Sequence, residues 1–253
     1  MILGQDGKRL SKRHGATSVG SYEEMGIIKE ALFNYLTRLG WAHGDMEVFS
    51  SGEAIDVFDY SGINKAGAKW DMDKLRWLNQ QWMMRLDTYD LAERARPFFA
   101  KANIVVDEDR YLSAIASMQQ RAQTLIDLAE GCRFYFTSDS EITYDPEAAE
   151  RALGPNNAEL LLGYAEKLDA IENWNGDTIS IESKAFVQEE TQRRKEAGGK
   201  KIKMGQLLFP TRIAICGKKG GPDVFEAMIS LGREKTVNRL NRASKWASKA
   251  REE

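Results

Sequence analysis

The residues best placed to do chemistry lie near the start of the chain, in Gly7-Lys8-Arg9-Leu10-Ser11-Lys12-Arg13-His14-Gly15. Four cations and a hydroxyl sit between glycines, a composition that can close over a polyphosphate. Each ammonium or guanidinium donates strong charge-assisted hydrogen bonds, and the glycines let the backbone turn around the ligand. Few other catalytic groups are available. The only histidines are His14 and His43, too few and too far apart for a metal pair or for a favoured Ser/His/Asp or Cys/His triad. No Gly-x-x-x-x-Gly-Lys phosphate loop is present. Carboxylate pairs such as Glu23-Glu24 and Glu189-Glu190 read as solvated helix faces.

These groups must be held by helices. Ser21-Tyr22-Glu23-Glu24 has the form of a capping box. Behind it Ile27, Ile28, Ala31, Leu32, Tyr35, Leu36 and Leu39 recur at helical spacing up to Gly40. A second helix is expected from Asp71, with Leu75, Leu78 and Trp82 on one face. Pro97 and residues 103–109 interrupt the next helical region, and Arg110–Arg133 reads as one long helix carrying Leu112, Ile115, Met118, Leu125 and Leu128. Asp145-Pro146 opens another helix. Asn156–Ile171, Ser183–Ala197 and Pro222–Leu231 complete the set, and Gly198-Gly199-Lys200-Lys201 reads as a loop. Strand candidates are Met1–Leu3, Ile104–Val106 and Thr178–Ile181. Trp70, Trp77 and Trp82 read as core residues, whereas Trp246, in the basic tail Arg239–Arg251, is open to a stacking role.

A chain of 253 residues can build a sizeable core and suggests two domains. Apolar residues at 42% and charged residues at 29% are the balance of a folded, helix-rich protein. The longest stretch free of Asp, Glu, Lys and Arg is Tyr111–Gln120, about half of what a membrane span needs. The two cysteines, Cys132 and Cys216, make neither a disulfide framework nor a four-ligand zinc site, and the expected setting is a reducing cytoplasm. The formal net charge of −2 conceals an asymmetry. Residues 184–253 hold 17 Lys/Arg against 8 Asp/Glu, the first fifteen residues are also basic, and the middle of the chain is strongly acidic. Two basic regions flanking an acidic body suggest phosphate-bearing partners.

Arg9-Leu10-Ser11-Lys12-Arg13 resembles the KMSKS signature of class I aminoacyl-tRNA synthetases. The surrounding sequence narrows the likeness. Lys12-Arg13-His14-Gly15-Ala16, Leu39-Gly40-Trp41 with His43-Gly44-Asp45, and Lys65-Ala66-Gly67-Ala68-Lys69-Trp70-Asp71 running into Lys74-Leu75-Arg76-Trp77-Leu78-Asn79 are similar to the bacterial glutamyl-tRNA synthetases. So are Gly205-Gln206-Leu207-Leu208-Phe209-Pro210, Gly220-Gly221-Pro222 and the following Phe225–Gly232 segment, all in the family's order. Two departures stand out. Gln81-Trp82 replaces a frequent His-Tyr pair, and Pro210-Thr211-Arg212 replaces Pro-Leu-Arg. The His-x-Gly-His motif of the nucleotide domain is absent, so the chain resembles the C-terminal half of such an enzyme, beginning just before the KMSKS loop.

The resemblance implies a mainly α fold, with a stem-contact helical region followed by an all-helical anticodon-binding cage. The expected divisions are residues 1–86, 87–145 and 146–253. It implies a role in glutamate–tRNA ligation, with ATP and Mg2+ serving the intact enzyme and no cofactor held tightly by this chain. Lys12 would be the catalytic lysine, and Arg9, Leu10, Ser11, Lys12 and Arg13 would bind ATP. Arg121 and Arg133 are candidates for base reading, and Lys200, Lys201, Lys203 and Arg212 for phosphate contacts. The implied partners are the anticodon stem-loop of tRNA-Glu and an N-terminal catalytic domain of the same polypeptide, with no membrane involved and a monomer as the default. The competing reading is a stand-alone helical RNA-binding or interaction module. The intact Lys12 loop, which has no use without a nucleotide domain, favours the synthetase.

Overall fold

A computed structural model describes residues 1–4, 6–11 and 18–249. Thirteen α-helices, two very short strands and two single-turn 3-10 helices (Tyr60–Gly62 and Pro155–Asn157) make up the regular structure among the described residues. In order the strands and α-helices are β1 (Ile2–Leu3), α1 (Val19–Glu24), α2 (Lys29–Gly40), α3 (Ser51–Asp56), β2 (Ala68–Lys69), α4 (Met72–Arg85), α5 (Thr88–Lys101), α6 (Glu108–Gln119), α7 (Leu125–Phe136), α8 (Pro146–Ala152), α9 (Ala158–Asp169), α10 (Gly176–Glu196), α11 (Met204–Cys216), α12 (Val224–Leu231) and α13 (Arg233–Lys249). The mainly α class follows. Two compact units divide the chain, one of Met1–Val105 with Met118–Glu130, the other of Val106–Ser117 with Gly131–Glu253.

In the first unit α2 packs on α4, and Trp70 joins them to the start of the chain. The Trp70 ring lies 5.2 Å from Tyr22 and 4.9 Å from Tyr35, edge-on to the latter. Its backbone N–H donates to the Leu3 carbonyl at 2.7 Å, just beyond the parallel pairing of Ile2 with Ala68 and Leu3 with Lys69. Asp71 caps α4 as its sequence predicts, accepting from the Lys74 N–H at 3.0 Å, and Leu75 and Leu78 are fully buried. A bidentate pair from Arg94 to Glu30, with Asp90 on the same guanidinium, ties α5 to α2.

Several sequence expectations give way to tertiary contacts. The helix expected behind Ser21 is two helices. Ser18 rather than Ser21 caps the first, and Gly26 at φ +77° breaks the path before α2. The helix expected over 110–133 is also two, separated by a turn at 120–124, and Leu112 is 46% exposed. Gly26 explains both interruptions. Its carbonyl accepts the Leu125 N–H at 3.0 Å, and a β-carbon there would stand 2.8 Å from the Leu125 nitrogen. Asn79, buried in α4, completes the junction by accepting from the Ile28 N–H and donating to the carbonyls of Gly26 and Gln123. Backbone groups that a continuous helix would consume are satisfied across the unit instead.

Other corrections are local. Pro97 lies inside α5, whose flanking Ala95, Phe98 and Phe99 are buried, so packing outweighs the lost amide. The stretch 178–181 belongs to α10, because Asn175 caps it at the Thr178 N–H and Ile179 and Ser183 share its buried face. Residues 104–106 form a loop after Asn103, which takes a positive φ of 54°. Two helices passed over in the sequence, α11 and α13, form much of the second unit's core.

In that unit α13 lies along α9, and α11 packs against both. Arg239 is fully buried at its centre. Its guanidinium donates to Asp139 at 2.7 Å and to the carbonyls of Phe134, Ile215 and Thr137. Cys132 and Cys216 are free and buried, and desolvation pushes both thiols above their ordinary range. Among the described residues no helix is long and apolar enough to cross a membrane.

Candidate nucleic-acid interface

The basic loop near the start is held by β1. After Leu3 the chain reverses through Gly7 at φ +76°, with the Gly4 N–H donating to the Lys8 carbonyl at 2.8 Å. Arg9 then bridges antiparallel to Leu3, and the Leu10 N–H donates to the Ile2 carbonyl at 3.0 Å. Arg9 and Ser11 are exposed and Leu10 is half-buried. The first three residues of the KMSKS-like segment therefore leave a strand that is itself fastened to Trp70 and the helical core. This is the physical requirement of a phosphate-binding loop: donors presented to solvent from a rigid base. Lys12 and Arg13, the other two residues of the segment, lie outside the described residues, as does His14.

Arg121 occupies the turn between α6 and α7, in the first unit. Its backbone N–H donates to the Met118 carbonyl at 2.9 Å and its side chain is exposed. Arg133 sits on α7 in the second unit and is half-buried. The long helix that would have carried both arginines along one axis is replaced by a turn at the first of them.

Lys200, Lys201 and Lys203 come together on one exposed segment between α10 and α11. Gly198, at φ +75°, starts the turn, and the buried Ile202 anchors it by a two-way bond with the Thr191 hydroxyl. The Lys203 N–H is taken by the Gln206 carboxamide at 2.9 Å, which caps α11. The three ammonium groups thus project from a segment fixed at both ends. Arg212 differs from them. It is half-buried on α11, and one of its terminal nitrogens donates to the Pro222 carbonyl, bracing the Gly220-Gly221-Pro222 turn.

The reading of Glu189-Glu190 as a solvated pair holds only for the first. Glu190 is 6% exposed and accepts from Arg193 at 2.7 Å and Arg194 at 2.6 Å. Burial alone would raise its carboxyl, but the two guanidinium groups outweigh that and hold it below the ordinary carboxylate range. Glu190 therefore occupies two of the basic groups that end α10, leaving the 200–203 segment as the more open cationic feature. Of the tryptophans, Trp70 is buried as expected. Trp82 donates its indole N–H to Asn34 at 3.0 Å, and Trp77 carries the Lys74 ammonium 3.9 Å above its ring.

The segment read from sequence as a basic tail from Arg239 belongs to helix α13, which starts at Arg233. The signal was present in Leu240, Ala243, Ser244 and Ala247, spaced as one helical face, but small residues give little hydrophobic contrast.

Comparison with known proteins agrees with this layout. Residues 90–244 match the anticodon binding domain family, and residues 1–77 match the catalytic domain of class I (E and Q) tRNA synthetases. The glutamate–tRNA ligase of Geobacter sulfurreducens is 39% identical over 244 residues, covering 96% of this chain and 50% of that protein. Glutamate–tRNA ligase 2 of Halorhodospira halophila is 37% identical, over 97% of this chain and 50% of its own length. Among solved structures, a glutamate tRNA ligase from Elizabethkingia meningosepticum, crystallised in complex with its amino acid, superimposes with a TM-score of 0.79 at 27% identity. That likeness also covers 97% of this chain and 50% of the crystallised one. The chain spans about half the length of the curated relatives it matches, and it corresponds to their C-terminal half. With the anticodon-binding domain over most of its length and a synthetase segment before it, the chain belongs to the glutamyl type of class I tRNA synthetase.

Proposed function

We propose that this chain is the tRNA-binding part of a glutamate–tRNA ligase, with its helical residues 87–253 gripping the anticodon stem-loop of tRNA-Glu. The observation that carries the reading is the anticodon-domain match over residues 90–244, in a chain that also bears the Arg9–Arg13 loop. Functionally we divide the chain into a loop and stem-contact region over 1–86 and two helical anticodon-binding parts over 87–145 and 146–253. Arg121 and Arg133 are the proposed base readers, since a guanidinium fork matches the acceptor edges of bases. Lys200, Lys201, Lys203 and Arg212 are the proposed phosphate contacts. The lysines supply point charges from a fixed segment, while Arg212 keeps one nitrogen on Pro222 and has further donors to offer.

The intact enzyme would activate glutamate with ATP. The amino-acid carboxylate attacks the α-phosphorus, pyrophosphate leaves, and the acyl group then passes to the tRNA with release of AMP. In that reaction Lys12, with Arg9, Ser11 and Arg13 around it, would hold the phosphate charge that grows on the leaving pyrophosphate. Leu10 would supply backbone, its N–H being used at Ile2. Mg2+ would arrive with the nucleotide. The chain without a nucleotide domain is expected to bind tRNA as a monomer and to ligate nothing.

The test separates the two halves of the proposal. Lys12→Ala leaves the affinity of this chain for a tRNA-Glu transcript unchanged, and abolishes aminoacylation when introduced in the intact enzyme. Aminoacylation at near-normal rate would remove Lys12 from the role. A chain that binds tRNA-Glu no better than an unrelated tRNA would sink the anticodon reading.

A further inference from the structure

Helix α13 continues past residue 244, where the match to the anticodon-binding domain ends. Its inner face is committed to the fold. Leu240, Ala243 and Ala247 are fully buried, and the Ser244 hydroxyl donates to the Ala158 carbonyl at 2.7 Å, so small residues let α13 lie close along α9. Trp246 is not part of that face. It is 40% exposed, and its ring stands 5.8 Å from that of Tyr144, nearly perpendicular to it at 77°. Arg242, one turn earlier, places its guanidinium 5.6 Å from the centroid of the same Tyr144 ring and donates to the Ile142 carbonyl at 2.6 Å. Lys245 is exposed beside them. From Arg239 to Arg251 the sequence carries five Lys or Arg and no Asp or Glu.

A single exposed tryptophan on a protein surface is ordinary. This one is braced by a second ring and set among cations, in the unit that matches an RNA-binding family. A braced ring loses little rotamer freedom when something stacks on it, and cations beside it draw a phosphate backbone to the same place. Because the apolar face of α13 is already buried, one indole is all it could offer a lipid surface, far less than an interfacial helix uses.

We propose that Trp246, braced by Tyr144 and flanked by Arg242 and Lys245, is a stacking platform for an unpaired base of bound RNA, beyond the part of the chain that matches the anticodon-binding family. The inference rests on the tRNA-binding reading above. The experiment measures the affinity of the chain and its variants for a tRNA-Glu transcript and an anticodon-substituted one, with anionic phosphatidylserine vesicles as a second ligand. Trp246→Ala should weaken binding to both transcripts by about tenfold and leave their ratio unchanged, the size of one lost base stack, while Trp246→Phe stays within about threefold of the parent. Lys245→Glu, at an exposed position that cannot disturb the core, should weaken both as well. If Trp246→Ala and Lys245→Glu bind like the parent while the parent still prefers the correct anticodon, the platform is refuted and the tRNA reading stands. If the parent shows no preference, both fall. Loss of vesicle binding in Trp246→Ala with tRNA affinity intact would overturn the proposal in favour of a membrane surface.

Discussion

At the scale of single residues, two buried charges carry much of the second unit. Arg239 satisfies three backbone carbonyls and Asp139 at once, which a lysine with one ammonium could not do in the same geometry. Removing it leaves those acceptors and a carboxylate without their donor. Arg239→Met should therefore cost about 3–5 kcal/mol, read as a lowered denaturant midpoint of the second unit. A midpoint within experimental scatter of the parent would mean the cluster is not stabilising. Glu190 gives the pH dependence. Its folded carboxyl lies below its unfolded value, so its contribution is fully present above the unfolded range near pH 4.5 and is lost as pH falls through the lower folded value. A pH–stability profile of Glu190→Gln against the parent should converge in acid, below the lowered folded value of the carboxyl, and diverge at neutral pH. Parallel profiles would refute the assignment.

At the scale of elements, the sequence announces helices where caps and apolar spacing agree, and loses them where a distant group decides. Asp71 and Asp145 cap the helices they were expected to cap because the signal is local. The breaks at 25–28 and 120–124 were not legible, since they are fixed by Gly26 meeting the Leu125 backbone and by Asn79, remote in sequence and bonded to Ile28, Gly26 and Gln123. Asn79 did stand out as part of a family-like block, but nothing in its neighbours revealed its three backbone partners. Its replacement by alanine leaves the buried Ile28 N–H unpaired and takes a donor from the carbonyls of Gly26 and Gln123, and should destabilise the first unit by about 1–3 kcal/mol. The amide exchange of residues 28 and 125 would rise with it. Unchanged protection at those amides would show that the junction does not depend on Asn79. The candidate site divides in the same way. The anchoring of Arg9, Leu10 and Ser11 depends on Trp70 and Leu3, a pairing invisible in the sequence, whereas the openness of Lys200, Lys201 and Lys203 could be read from the Gly198-Gly199 turn that precedes them.

At the scale of the whole molecule, charge and architecture point the same way. The basic C-terminal third belongs to the second unit, most of which matches the anticodon binding domain family, and the basic N-terminal loop springs from a strand of the first. The most direct measurement titrates the chain with a tRNA-Glu transcript and with the same transcript carrying a different anticodon, each at two salt concentrations. The correct anticodon should bind more tightly at both salts, and affinity for both transcripts should fall steeply as salt rises, since several lysines and arginines would each release counterions. Equal affinity for the two transcripts at both salt concentrations would contradict the anticodon reading, leaving the basic groups as general surface charge.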